Sequence, residues 1–278
     1  MKREIGRFHT LNVLEVGTQS AILDGEDWGR LALELEHCPV GVMPGHQLDV
    51  FIYLGPDGRP TPTTQRPKAE LGQVAWLEVV DVSHVGAFAD WGLEKDLFIP
   101  FAEQQHGLTV GAHTLVRVYL DNQGRLAGST RIDHWIDETS QNVKRNQKVS
   151  LIIADRTELG FKAIINHECW GLLYSNDLYQ RIRKGQVMDG YIQRIRDDGK
   201  IDLALNQPGF SQGKIDDISA RILAALQENN GFLTLTDKSA PQEIYATFAV
   251  SKKVYKQALG ALYKQRVIAL ERGGIRLL

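Results

Sequence analysis

The chain has 278 residues, 43% of them hydrophobic, and a formal net charge of −2. No run approaches the roughly 18 apolar residues of a membrane span, and the charged first ten residues have no apolar stretch behind them, so a secretory leader is not expected. Two cysteines, Cys38 and Cys169, without metal-ligand spacing exclude a disulfide framework or a zinc knuckle, so the expectation is a cytoplasmic protein with neither membrane nor metal as partner. The small net charge hides a division: residues 1–140 carry 11 Lys and Arg against 20 Asp and Glu, and residues 141–278 carry 21 against 14. The second half is therefore the candidate for a polyanion, although the same imbalance also serves solvation or attraction between halves.

One phrase recurs along the chain: a glycine, an alternating apolar run, then a polar turn ending in glycine and a cation. It runs from Gly45 to Arg59, from Gly111 to Arg125, and from Gly185 to Lys200, with starts 66 and 74 residues apart, the size of a small barrel. Each copy predicts a strand, a tight turn and a returning strand. After the first copy, Pro56, Pro60, Pro62 and Pro67 crowd the exit and argue against helix or central strand there. In the second, Leu115, Val116, Val118 and Leu120 supply β-favouring bulk before the Asn122 to Gly124 turn. In the third, Asp198-Gly199 is the strongest two-residue hairpin signal, and Ile201, Leu203 and Leu205 then alternate with Asp202 and Ala204.

Beyond a turn-rich stretch at 206–213 the period changes. Ile218, Ile222, Leu223 and Leu226 predict a helix over 216–227, with Asp216 and Asp217 at its positive end and Asn230-Gly231 as the stop. Ser239 with Gln242 reads as a capping box for a second helix, with Pro241 in its first turn and an end near Thr247. Ser251 caps a third, whose buried stripe is Tyr255, Ala258, Leu259 and Leu262. A hairpin of 267–270 with 275–278 follows, and three helices before a hairpin is the order of a winged helix. The boundaries that result are 1–65, 66–140 and 141–210 for three β modules and 211–278 for the winged helix. The fold class is mainly β, tandem five-stranded OB-fold barrels followed by a C-terminal α/β domain.

The segments Gly86 to Asp90 and Leu97 to Glu103, followed by the phrase at Gly111, resemble the OB-fold RNA-binding repeat of ribosomal protein S1. The third module resembles it too, through Leu159 to Ile165 and Trp170-Gly-Leu-Leu-Tyr174, while the first keeps mainly the phrase. Three such repeats and a winged helix together resemble the conserved virulence factor B (CvfB) family of bacterial RNA-binding proteins over essentially the whole chain. That resemblance implies binding of single-stranded or structured RNA and post-transcriptional regulation, without a reaction or a cofactor. It places the repeat's first stacking aromatic on Phe88 in module two and on Lys162 in module three. The second falls on Pro100 and on Tyr174, and the closing cation on Arg59, Arg125 and Lys200.

Read for their own chemistry, Lys162, Tyr174, Arg194, Arg196 and Lys200 combine a ring with cations, and 181–184 adds more charge, so module three with its helical neighbour is the expected binding region. Phe88 and Trp170 each stand between platform and core, and Trp91 reads as packing. On the third helix Lys253, Lys256 and Lys264 suit phosphate, but such a face is equally that of a solvated helix or a protein contact. Catalysis is not expected: the Asp197-Asp198 and Asp216-Asp217 pairs sit at a turn and a helix start, and no phosphate loop, nucleophile elbow or dinucleotide fingerprint occurs. Two functions remain: RNA held by modules two and three with the winged helix, or duplex DNA read by the winged helix of a transcription regulator.

Overall fold

The recurring phrase folds the same way three times because each copy is bonded at the same place to the first strand of its own module. The computed structural model describes residues 4–55, 57–175, 178, 181–206 and 211–278. Pro56 and residues 207–210 of the turn-rich stretch lie outside the described residues, as do the side chains of residues 211–216, which include Asp216. Module one comprises β1 (Arg7–Val16), β2 (Ser20–Asp24), β3 (Arg30–Glu34), β4 (Gln47–Leu54) and β5 (Pro60–Thr63). Module two comprises β6 (Val74–Val82), β7 (Gly86–Asp90), β8 (Leu97–Pro100), β9 (His113–Leu120) and β10 (Leu126–Ser129). Module three comprises β11 (Lys148–Arg156), β12 (Gly160–Ile165), β13 (Cys169–Tyr174), β14 (Val187–Ile195) and β15 (Ile201–Ala204).

The first strand of each module bulges at one point, past Val13, Val79 and Ile153. The carbonyls of these three residues accept from the N–H of Gly45, Gly111 and Gly185, each at 2.8 Å. Those glycines have φ of 87°, 80° and 80°, a conformation costly for any side chain, which is why the phrase must open on glycine. Its second glycine, at 58, 124 and 199, takes φ of 75°, 76° and 81° in the hairpin turn.

The sheets of modules one and two run in the order β3-β2-β1-β4-β5 and β10-β9-β6-β7-β8, with β3 packed beside β5 and β8 beside β10. In module three a parallel pairing of β13 with β15 closes the barrel. Pro60, expected to break the returning strand, does not: Pro60–Thr63 pairs antiparallel with β4 as the last strand of module one. A fifth strand at the sheet edge tolerates proline because one of its sides needs no ladder donor.

Inward side chains fill each barrel, Leu11, Leu23, Leu33 and Ile52 in the first and Leu151, Ile153, Ala163 and Leu203 in the third. The run Val50-Phe51-Ile52 is apolar at successive positions because β4 is covered on both faces. Val50 and Ile52 enter the first core, while Phe51 enters the second and meets Trp91 edge-on at 5.9 Å. The chain divides into two compact units, one ending at Asp137 and the other beginning at Glu138, so modules one and two share a unit and module three shares the other with the helices.

The helical domain contains α1 (Ser211–Glu228), β16 (Phe232–Leu233), α2 (Pro241–Phe248), α3 (Lys252–Lys264), β17 (Ile268–Glu271) and β18 (Gly274–Leu277). Helix α1 starts five residues before the periodic stretch, and β16 adds a third strand to the expected hairpin by pairing with β18. The cap of α2 sits one residue later than its sequence motif. Ala240 is the N-cap and Glu243 accepts from its N–H at 3.2 Å, while the Ser239 hydroxyl instead accepts from Thr236 N–H. Helix α3 begins as its sequence requires, with the Ser251 hydroxyl accepting from Val254 N–H at 3.0 Å. Its Tyr255, fully buried among Ile218, Ile222, Phe248 and Leu259, donates to Leu235 O at 3.1 Å, and burial pushes that phenol up to about 12. We expect Ser251→Ala to cost the helical domain about 1 kcal/mol, read as a lower denaturation midpoint; an unchanged midpoint would make the cap idle.

Candidate nucleic-acid interface

Strand alternation decides which side chains of barrel three face outward. On β12 and β13 these are Lys162 and Ile164, then Trp170, Leu172 and Tyr174, while Cys169 and Leu173 point into the core. Register carries one row across four strands: Lys162 opposite Leu172, Leu172 beside Asp202, and Asp202 opposite Arg194. Lys162, Tyr174 and Arg194 thus lie on strands of one outer face, with Arg196 and Lys200 in the turn between β14 and β15.

Trp170 belongs to that face yet is only 6% exposed, because the Lys162 ammonium lies 3.8 Å from its ring centroid and covers it. Lys162 also pairs with Glu138 at 3.6 Å. The Trp170 indole N–H is buried and has no hydrogen-bond partner among the described residues. These groups, with Leu159, Arg196 and Lys200, line a pocket of about 410 Å³.

Arg196 is held from two sides. Its Nε and Nη2 donate to Asp202 Oδ1 at 2.8 and 2.5 Å, and Nη2 also donates to the Tyr174 hydroxyl at 2.8 Å. The Asp202 carboxylate keeps this guanidinium above its ordinary value. Tyr174 and Asp202 line a second hollow of about 670 Å³ with Arg145 and Arg194. Arg194 and Lys200 are exposed and, among the described residues, neither side chain has an acceptor. In the basic stretch at 181–184, Arg181 and Arg183 are exposed and Lys184 is tied to Asp155 at 2.6 Å.

Barrel two presents a different chemistry at the same positions. Phe88 pairs in register with Phe98, their ring centroids 5.3 Å apart, and both are half-buried on the outer face; Phe101, 53% exposed, follows on the same segment. Sequence reasoning named Phe88 and passed over Phe98, although the alternation of Leu97 and Ile99 around it was the signal that it points outward. Arg125 is committed to its own turn, its Nε and Nη2 bonded to Asp121 Oδ2 at 2.9 and 2.8 Å. Barrel one carries Ile22 opposite Ala32 where barrel two has its two phenylalanines, and Arg59 lies 3.7 Å from Asp57.

On α3 the exposed positions Lys253, Lys256, Tyr263 and Lys264 flank the buried stripe, and Lys256 lies 3.8 Å from Asp237. Residues 220–277 match the CvfB-like winged helix domain, and residues 5–65 and 71–131 each match the S1 domain. The chain therefore carries a CvfB-like winged helix domain and two S1 domains. Among its relatives, conserved virulence factor B of Staphylococcus epidermidis is 24% identical over 241 residues, covering 84% of this chain and 80% of that protein. The uncharacterized protein YitL of Bacillus subtilis is 24% identical over 262 residues, covering 91% and 86%. A Streptococcus pneumoniae crystal structure described as a multidomain protein with nucleic acid binding domains aligns over 99% of this chain and 98% of its own, at 24% identity and a TM-score of 0.42. The matched domains are of nucleic-acid-binding types rather than enzyme families. Among the described residues no helix is long and apolar enough to cross a membrane.

Proposed function

We propose that the protein binds single-stranded RNA and acts as a cytoplasmic post-transcriptional regulator of gene expression, of the kind suggested by the virulence-factor name of its relatives. The observation that carries this reading is the outer face of barrel three. There Tyr174, Arg194, Arg196 and Lys200 stand on or beside strands β13, β14 and β15 around two open hollows. A flexible strand can lay bases on half-exposed rings while the cations follow its phosphates, an arrangement that does not require a duplex groove. Barrel two supplies Phe88 and Phe98 as a further stacking surface. Several weak modules on one strand gain affinity through effective concentration. Cys38 and Cys169 are not joined in a disulfide, which accords with a reducing compartment.

The second reading assigns duplex DNA to α3, whose Lys253, Lys256 and Lys264 face solvent. That helix has no Arg or Asn to read base edges, so it favours phosphate contact over sequence recognition. Competition between a short single-stranded RNA and duplex DNA, followed by anisotropy across salt, decides between them. The expected result is preference for RNA, with a salt slope of about 0.7 for each phosphate neutralised. Preference for the duplex overturns the proposal.

A further inference from the structure

Comparing the three phrase hairpins isolates a pair of residues peculiar to module three. The hairpins close alike: Gly55, Asp121 and Arg196 each donate a backbone N–H to the carbonyl four residues on, at 2.9, 2.8 and 2.9 Å. Six residues beyond each stand Thr61, Ala127 and Asp202. In module two the acid comes first, and Asp121 holds the closing cation Arg125 inside the turn. Module three inverts the charges. Arg196 takes the position of Asp121, which leaves the Lys200 side chain with no turn carboxylate among the described residues, Asp198 accepting only the Lys200 backbone N–H at 3.1 Å, and an acid appears at 202 where module two has alanine.

We infer that Asp202, although acidic, is a positioning residue for RNA: it fixes Arg196 so that the guanidinium meets a backbone phosphate beside the ring of Tyr174. This rests on the RNA reading above. A guanidinium has five N–H groups. Three are spoken for, one from Nε and two from Nη2, by Asp202 and Tyr174. The remaining two sit on Nη1, where they diverge and stay free to donate charge-assisted hydrogen bonds to a phosphate. The Asp202 side chain is buried beneath this contact, the residue being 8% exposed, so its charge faces Arg196 rather than an incoming strand. Holding the long arginine stem in one rotamer removes an ordering cost at binding, and the bond to the Tyr174 hydroxyl sets phosphate site and stacking ring in fixed relation.

The test is sharp because simple electrostatics gives the opposite sign: removing a carboxylate from a face that binds a polyanion strengthens binding. We expect Asp202→Asn in the full chain to weaken binding of a short single-stranded RNA by roughly three- to tenfold and to lower the salt slope, as Arg196→Gln does by about 0.7. In the Arg196→Gln background Asp202→Asn is expected to cost nothing further. Unchanged or tighter binding by Asp202→Asn overturns the inference, as does an equal loss with Arg196 already removed. Should Asp202→Asn not fold, Arg196→Lys carries the test. It keeps the charge but not the planar set of donors that bonds Asp202, Tyr174 and a phosphate at once, and is expected to bind as weakly as Arg196→Gln; binding at the level of the unaltered protein overturns the inference. Failure of the unaltered chain to bind RNA removes the proposed function itself, a different outcome from a tight-binding chain indifferent to Asp202.

Discussion

Replacing Tyr174 and Lys200 together by alanine is expected to weaken single-stranded RNA binding by roughly 10- to 100-fold. A base stacked on an aromatic ring is worth about 1 to 3 kcal/mol, and each 1.4 kcal/mol is a tenfold change in affinity. Lys200 adds a phosphate contact, so the salt slope should fall by about 0.7 as well. The two positions are good probes because neither holds a core: Tyr174 is half-buried on the outer face and Lys200 is exposed. Arg125→Ala in module two provides the contrast. It occupies the same hairpin position as Lys200 but is spent on Asp121, so its loss should loosen a turn and leave RNA affinity nearly intact. Anisotropy with one labelled oligonucleotide at fixed salt reads all three proteins. An unchanged affinity for the Tyr174, Lys200 double variant removes barrel three from the binding surface.

These contrasts show which parts of the molecule were legible before its structure. The hairpins were, because a glycine that must adopt positive φ and a polar turn are local signals, and Gly45, Gly111 and Gly185 carry them unmistakably. The helices of the C-terminal domain were, because a stripe such as Tyr255, Ala258, Leu259 and Leu262 declares its period. What local signals concealed was partnership across strands. The motif Ser239 to Gln242 has the right spacing for a capping box, yet tertiary packing starts α2 at Pro241 and turns the serine toward Thr236. Pro60 looks like a strand breaker until its place at the sheet edge is known.

The site was legible as a neighbourhood and not as a set of roles. Residue types alone brought Lys162, Tyr174, Arg194, Arg196 and Lys200 together as candidates; the first three lie on paired strands, and Arg196 and Lys200 share a pocket with Lys162. The same list could not show that Lys162 lies over Trp170, that Arg196 is anchored while Arg194 stands open, or that Asp202 is the anchor. Those distinctions depend on which side chain meets which across a closed sheet, and β13 and β15, which pair in parallel, are separated in sequence by the whole of β14. Phe98 was missed for the same reason: its value lies in standing opposite Phe88, a long-range fact.

Gly160→Ala is expected to destabilise barrel three by about 1 to 3 kcal/mol or more, through overpacking, and to carry the binding face with it. A Cβ at this residue would overlap the Leu173 carbonyl oxygen outright, and that atom is backbone, which has no side-chain torsion to relieve the clash. Gly86 holds the equivalent place in module two, where a Cβ would lie 2.5 Å from Ile99 O. Module one has Ser20 there, opposite Glu34. Close approach of the second and third strands is therefore a property of the two barrels that present candidate binding side chains on those strands. In module three it matters doubly, because Gly160 is the register partner of Tyr174. Pushing the strands apart shifts the ring, loosens its bond from Arg196, and so should lower RNA affinity even under conditions where the chain remains folded. Gly260→Ala is the control in the same unit: the position lies in α3 with nothing within 4 Å of an added Cβ, and exchanging a helix-interior glycine for alanine should raise stability by about 0.5 to 1 kcal/mol. Thermal unfolding and RNA titration of the two variants should move in opposite directions for stability, with affinity lost only in Gly160→Ala. If Gly160→Ala melts and binds like the unaltered protein, the tight pairing of β12 with β13 is not what holds Tyr174 in place.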